Sequence, residues 1–428
     1  MIKKIISTVV AASIAALSLI PTAEARRVSI TKGYSGAPFT YNINATNTSN
    51  LRTVWAGQTR NAIVAFNGDS TTRGVDETAS PYNSQYSLGA MPIQLATVLN
   101  SSGVASGSNN WFGLSGSTLN DYVIRDSRLT VSGGTVSGSN QYQGGTEIRF
   151  PGVTSGATLT FDNVDTCNVI WVDQGAAGRT MSYAVDGGSA TNLATSGVSA
   201  IVSTSNIALG SVGTHTLSFN WVSGGTTLLP GVNCWNSTRS EVSLWNMGIS
   251  GGTSAGMIAN TGTPGAGRIQ QLTNFKPDIL ITEMGLVNDW RTSVTVATSK
   301  ANMTSFVTSM KAIGVQVLFL TPPYDNGTTG LAADQNSYVS AMYQVAAEQG
   351  IGLIDIRQRW ISYANALAKT WQSPGDNVHP SKAGYLEEAN IIANVIKSIL
   401  NNTFASNDDP INLPANDNIP IIYREKAA

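Results

Sequence analysis

The chain changes rhythm twice, and that change restricts its fold more than any other feature. Short all-apolar runs alternate with helical stretches near both ends: Ala62–Phe66, Val242–Trp245, Ile279–Thr282, Val315–Leu320 and Ile351–Ile356 against residues 91–99, 294–313, 332–349 and 383–400. Runs without polar alternation suit strands buried on both faces, and strands alternating with helices predict a parallel sheet covered on both sides. From Val104 to Arg239 this rhythm disappears. Short alternating segments such as Ala157–Phe161, Val169–Val172, Met181–Val185 and His215–Trp221 are broken there by Gly, Ser and Asn, and Asp186-Gly187-Gly188 is a hairpin turn signal. Short evenly spaced strands predict a sandwich or jelly roll. The expected architecture is one α/β domain, residues 26–103 and 240–400, interrupted by an all-β module over 104–239, with an extended tail over 401–428.

At 428 residues the chain is long for one ordinary domain, as an insertion requires. Charged residues make up 12%, about half the usual share of roughly 25%, and nine Trp, thirteen Tyr and ten Phe argue for packed structure rather than disorder. Lys3 and Lys4, the apolar run Ile5–Ile20 and the small-x-small triplet Ala23-Glu24-Ala25 form an export signal, residues 1–25, so a secreted or periplasmic protein is expected. No later segment has the ~20 apolar residues that span a bilayer. The net charge of -1 without basic runs argues against nucleic acid or anionic membrane as partner. In an oxidising compartment the two cysteines, Cys167 and Cys234, are expected to pair. Two histidines and two paired cysteines leave little from which to build a metal site, and no cofactor is expected.

Two distant segments carry chemistry. Asn67-Gly68-Asp69-Ser70 directly follows the strand Ala62–Phe66, and Asp376-Asn377-Val378-His379-Pro380 precedes the last helix. A serine hydroxyl needs a base to become a nucleophile. Ser70 lies at the carboxyl end of a predicted strand, where parallel sheets place their sites. His379 is the favoured base, because His215, the alternative, lies on an alternating strand of the module and is expected to be half-exposed. Asp376, three residues before His379, can face it within one turn and hold its charged form. Acyl transfer also needs donors for a developing oxyanion. The glycine-rich Asn246–Thr253 offers backbone N–H groups, and Asn288, after another strand, offers a side-chain amide.

These segments resemble the four sequence blocks of the SGNH (GDSL) hydrolase family. The resemblance covers residues 59–103 and 240–400 and implies a flavodoxin-like three-layer α/β/α domain. It further implies Ser70, Asp376 and His379 as the triad and the backbone of Ser70, Gly251 and Asn288 as the oxyanion hole. One departure is visible: Gly285 stands three residues before Asn288, where the family usually has glycine two before. The inserted module is similar to the jelly-roll insertions of members acting on acetylated polysaccharides, with Trp171, Tyr183, Trp221 and Trp235 as sugar-stacking or core aromatics. Trp290 and Arg291 are candidates for the substrate rim. The expected function is removal of O-acetyl groups from a polysaccharide through an acyl-enzyme. The alternatives are an O-acetyltransferase using the same residues, an esterase of lipids, and a carbohydrate-binding surface protein. The polymer and the oligomeric state are not legible in the sequence.

Overall fold

A computed structural model describes residues 29–31, 39–58, 60–75, 89–107, 111–113, 128–137, 147–173, 177–198, 200–259, 268–404 and 410–412. The expected export signal lies outside the described residues. So does most of the loop before residue 89 and most of the tail, of which Pro410–Asn412 pairs antiparallel with Ser29–Thr31.

Seven strands form the central sheet: β1 (Thr40–Tyr41), β2 (Ala62–Asn67), β3 (Ser106–Gly107), β4 (Val242–Asn246), β5 (Ile279–Thr282), β6 (Gln316–Leu320) and β7 (Gly352–Ile354). Their spatial order is β1-β7-β6-β5-β2-β4-β3, all parallel except the edge strand β1. Five principal helices cover it: α1 (Ser49–Gly57), α2 (Met91–Ser101), α3 (Val296–Ala312), α4 (Gln335–Gln349) and α5 (Lys382–Leu400). Helix α1 lies in a segment whose sequence shows no clear periodicity; its Leu51 is fully buried.

Successive strand residues point to opposite faces. Ala62, Val64, Phe66, Ile279, Ile281, Leu318 and Leu320 join one core with Leu51, Leu95, Tyr385 and Ile392 of α1, α2 and α5. Ile63, Ala65, Leu280, Val317 and Phe319 join another with Met303, Phe306, Val339 and Met342 of α3 and α4. Two cores on two faces of one sheet make the expected three layers. The chain passes from β2 to β4 on one side and then to β5 on the other, so the carboxyl end of β2 lies where the direction of winding reverses. That is where open α/β sheets form clefts.

The chain leaves this sheet after β3 and returns at β4. The sheet therefore retains Ser106–Gly107 beyond the change of rhythm at residue 104, and the β-rich region begins at Trp111–Gly113. An eight-stranded antiparallel sheet is built around the long neighbours Gly156–Asp173 and Ile207–Ser223, and a three-stranded sheet accompanies it. Cys167 and Cys234 face each other on paired strands and form a disulfide. Trp171 and Trp235 are buried, and Tyr183 and Trp221 pack against the module's core, so all four serve packing.

His215 departs from its expected exposure. It is buried, with Nδ1 2.7 Å from Asp186 Oδ2 and Nε2 2.8 Å from the carbonyl of Ser211. Both neighbours are acceptors, so both ring nitrogens donate. The hydrogen bond to Asp186 is the main reason that the His215 pKa is raised. Asp186 and Gly187 both have positive φ (48° and 72°), and Gly188 N–H bonds to the carbonyl of Val185, which is the I′ turn expected of this triplet.

The β-rich region packs tightly on the α/β layers. Trp111 stacks on Trp245 of β4 with ring centroids 4.6 Å apart, and Trp245 Nε1 donates to Asn233 Oδ1 at 3.2 Å. Ile170, Val172, Ile201 and Leu228 belong to the same apolar cluster as the α3 and α4 side. Trp245→Ala removes the indole at this seam, and such truncations cost about 3–5 kcal/mol. Urea unfolding followed by near-UV circular dichroism should show that loss as one transition for both regions; a loss below about 1 kcal/mol would contradict a shared core.

Candidate active site

The strand-to-helix turn after β2 determines where Ser70 sits. Ser70 opens the four-residue helix Ser70–Arg73, and Asp69 caps it by accepting the Thr71 N–H at 2.9 Å. A side chain at Gly68 would place Cβ 1.9 Å from Thr72 Oγ1, so glycine leaves room for the Thr72 side chain to pack against the turn. The hydroxyl of Ser70, half-buried, lies 2.8 Å from His379 Nε2.

Across the cleft, residues 376–379 form a turn tied down at several points. Asp376 Oδ1 accepts the backbone N–H groups of Val378 and His379 at 2.7 and 2.9 Å. The carbonyl of His379 accepts from Ser373 N at 3.1 Å and Gln372 Nε2 at 3.0 Å, and Tyr363 Oη donates to the carbonyl of Asp376. Asp376 Oδ2 then lies 2.5 Å from His379 Nδ1. Partial burial opposes ionisation of Asp376, but the bond to His379, its charge and the two backbone donors together hold the carboxyl below the usual range. An ionised Asp376 accepts the Nδ1 proton, which leaves Nε2 free to accept the proton of Ser70. The arrangement can pass a proton from Ser70 to His379.

Two further loops lock onto the Ser70 turn. Ile249 N–H donates to the carbonyl of Gly68 at 2.9 Å, and Arg73 Nη1 donates to Ser250 Oγ at 2.7 Å, so the loop bearing Gly251 is fixed to the turn. Gly251 is exposed, with φ of 73°. Asn288 Nδ2 donates to the carbonyl of Gly252 at 3.1 Å. Gly285 (φ 67°) caps the short helix Leu286–Arg291, and a Cβ there would lie 2.4 Å from the Gly252 carbonyl oxygen. The glycine three residues before Asn288 thus allows the two loops to approach. The structure gathers Ser70, Asp376, His379, Asn288 and the Gly251 loop at one end of the sheet.

Trp290 does not reach a substrate rim. Trp290 is fully buried, donates from Nε1 to Asp325 at 3.2 Å and packs edge-on against Tyr338. The helical turn of Leu286–Arg291 aims the indole inward. Arg291 forms an ion pair with the same buried Asp325 at 2.9 Å. The sequence reading missed a buried acidic group beneath Ser70: Asp69, Glu283 and Glu388. Glu283 directly follows the apolar β5, and a carboxylate in that place is the signal that could have found it.

Residues 227–386 match the GDSL-like Lipase/Acylhydrolase family. The match includes Gly251, Asn288, Asp376 and His379, while Ser70 lies before it, across the inserted region. The chain thus carries an SGNH-type (GDSL-like) acylhydrolase domain, a carboxylic ester hydrolase. No curated protein matches the chain. Among solved structures, a peptidoglycan O-acetylesterase is 16% identical with a TM-score of 0.64, covering 85% of this chain and 99% of its own. A family 2 carbohydrate esterase with a carbohydrate binding domain from Corynascus thermopiles (Myceliophthora fergusii) is 15% identical (TM-score 0.29, 64% and 99% covered). One from Cellvibrio japonicus is 13% identical (TM-score 0.27, 68% and 98% covered). At these identities the first likeness concerns the fold, and the other two carry no argument.

Proposed function

We propose that the protein is an exported serine esterase that removes O-acetyl groups from a polysaccharide. Ser70 Oγ attacks the ester carbonyl as His379 Nε2 takes its proton; His379 returns that proton to the departing sugar hydroxyl, leaving an acetyl-enzyme. Water attacks the acetyl carbonyl with His379 again as base, the bond to Ser70 Oγ breaks as His379 returns the proton to that oxygen, and acetate leaves. Asp376 holds the imidazole and steadies its charge, while Asn288 and the backbone N–H groups of Ser70 and Gly251 receive the carbonyl oxygen as it becomes negative. The 2.8 Å contact between Ser70 and His379 carries the reading. Three further features support it: the esterase family match, the disulfide suited to an oxidising compartment, and the likeness over most of the chain to a peptidoglycan O-acetylesterase.

The test compares acetate release from acetylated peptidoglycan and acetylated xylan with turnover of p-nitrophenyl esters from acetate to palmitate. Polymer deacetylation is expected, with kcat/KM for acetate exceeding that for octanoate and longer chains by about 100-fold, the size of a pocket's discrimination by chain length. A preference for long chains would replace this reading with a lipid esterase. Transfer of acetyl to an added sugar faster than acetate release would replace it with an acetyltransferase.

A further inference from the structure

Beneath Ser70 lie three carboxyl groups, each almost completely buried: Asp69 on the turn after β2, Glu283 after β5 and Glu388 on α5. Asp69 and Glu283 meet at one hydroxyl. Thr71 Oγ1 is 2.8 Å from Asp69 Oδ1 and also hydrogen-bonds Glu283 Oε2. A threonine hydroxyl has one proton to donate. Two ionised carboxylates cannot both be satisfied by it, so one of the two acids must itself be the donor.

The surroundings decide which. Burial raises the pKa of Asp69, but Oδ1 takes the Thr71 N–H as well as the hydroxyl, and the more distant His379 and then Asn288 also favour its charged form. The charge acting on Glu283 is that of Asp69, and Thr71 and Thr72 are its hydroxyl neighbours. Burial and then the charge of Asp69 push Glu283 up to about 8, and burial with the nearby Glu283 pushes Glu388 well above the carboxylate range. Of the two acids that share the Thr71 hydroxyl, Asp69, with a backbone donor of its own, is the better placed to be the anion and Glu283 to be the acid.

We propose that Glu283 is a positioning residue: as a neutral acid it donates to Thr71 Oγ1, Thr71 donates to Asp69, and this chain fixes the Ser70 turn and the adjacent Asn288 amide in register with His379. The proposal rests on the reading of Ser70 and Asn288 as catalytic. It extends that reading to a proton that must be present for the site to keep its shape. Glu283 is protonated below about pH 8 and ionises above it. Once it ionises, Thr71 can serve only one of two anions, and the turn loses a bond on one side.

The experiment measures kcat and KM on p-nitrophenyl acetate from about pH 6 to pH 9.5 for the wild type, Glu283→Gln, Glu283→Ala and Ser70→Ala. Wild-type kcat is expected to fall through a step near pH 8 with KM unchanged. Glu283→Gln, whose amide still donates to Thr71, should keep kcat within about 5-fold at neutral pH and lack the step. Glu283→Ala should lose about 30-fold in kcat with KM within about 2-fold, as expected when an oxyanion donor is misplaced. A step persisting in Glu283→Gln, no step in the wild type, or Glu283→Gln as impaired as Glu283→Ala would overturn the proposal. Infrared difference spectra add a readout independent of turnover: of the carbonyl stretches of buried protonated carboxylic acids, the one that disappears between about pH 7 and pH 9 in the wild type should be missing from Glu283→Gln, while that of Glu388 persists in both. If Ser70→Ala turns over like the wild type, the serine reading fails, and the infrared band alone then decides the proton on Glu283.

Discussion

Ser70→Ala is expected to lower kcat for acetyl-ester hydrolysis by about 10⁴-fold or more while leaving the unfolding curve unchanged. The hydroxyl meets His379, and the turn that presents it is held by other groups: the Asp69 cap, the tight passage at Gly68 and the bond from Ile249 to the Gly68 carbonyl. Removing one oxygen atom therefore removes the nucleophile and little else. Residual turnover would come from the Asn288 and Gly251 donors acting on water attack, and the variant should fail to accumulate acetyl-enzyme when quenched during turnover. Mass spectrometry of the quenched protein checks this directly, because an acetyl adduct on the wild type should map to the peptide containing Ser70. A variant retaining more than about a tenth of wild-type kcat would remove Ser70 from the mechanism.

The residues in this prediction were legible because each follows an apolar strand at the same end of the sheet. That relation is written in sequence: Ala62–Asn67 leads to Ser70, Val242–Asn246 to Gly251 and Ile279–Thr282 to Asn288. The three layers were equally legible, since all-apolar strands separated by long helices have few other ways to bury both faces. What the sequence hid depends on neighbours brought from far away. Trp290 follows Asn288 and Asp289 in a polar loop context, yet one helical turn sends its ring inward to a partner, Asp325, that is supplied by the segment after β6. His215 reads as an alternating strand residue, but the turn at Asp186 folds a carboxylate back over it. Glu283 and Glu388 are hidden for a stronger reason. Burying a carboxyl normally costs several kcal/mol, so residue-level reasoning places both in solvent. Only the docking of α5 against the end of β5 shows that they share one dry site with Asp69.

Asp376→Asn should abolish activity almost as completely as loss of the serine, by about 10⁴-fold in kcat, without disturbing the turn. The argument comes from how the two oxygens of Asp376 are used. Oδ1 accepts two backbone N–H groups, from Val378 and His379, and only an oxygen can serve there. An asparagine must therefore place its carbonyl at the Oδ1 position and its NH2 at the Oδ2 position, facing His379 Nδ1. That NH2 donates, so Nδ1 becomes the acceptor and the ring proton moves to Nε2. Nε2 then meets the Ser70 hydroxyl as a donor and cannot take its proton. The substitution preserves every backbone bond of the turn and reverses the one property that the base requires. Asp376→Ala leaves His379 unoriented but free to take either tautomer, so it should be no more impaired than Asp376→Asn, although it loses the turn's two acceptor bonds and should be the less stable protein. Nitrogen-15 spectra of the imidazole distinguish the tautomers: Nδ1–H is expected in the wild type and Nε2–H in Asp376→Asn. If Asp376→Asn kept Nδ1–H, or kept more than about a tenth of wild-type kcat, the carboxylate would not be what sets the histidine's proton.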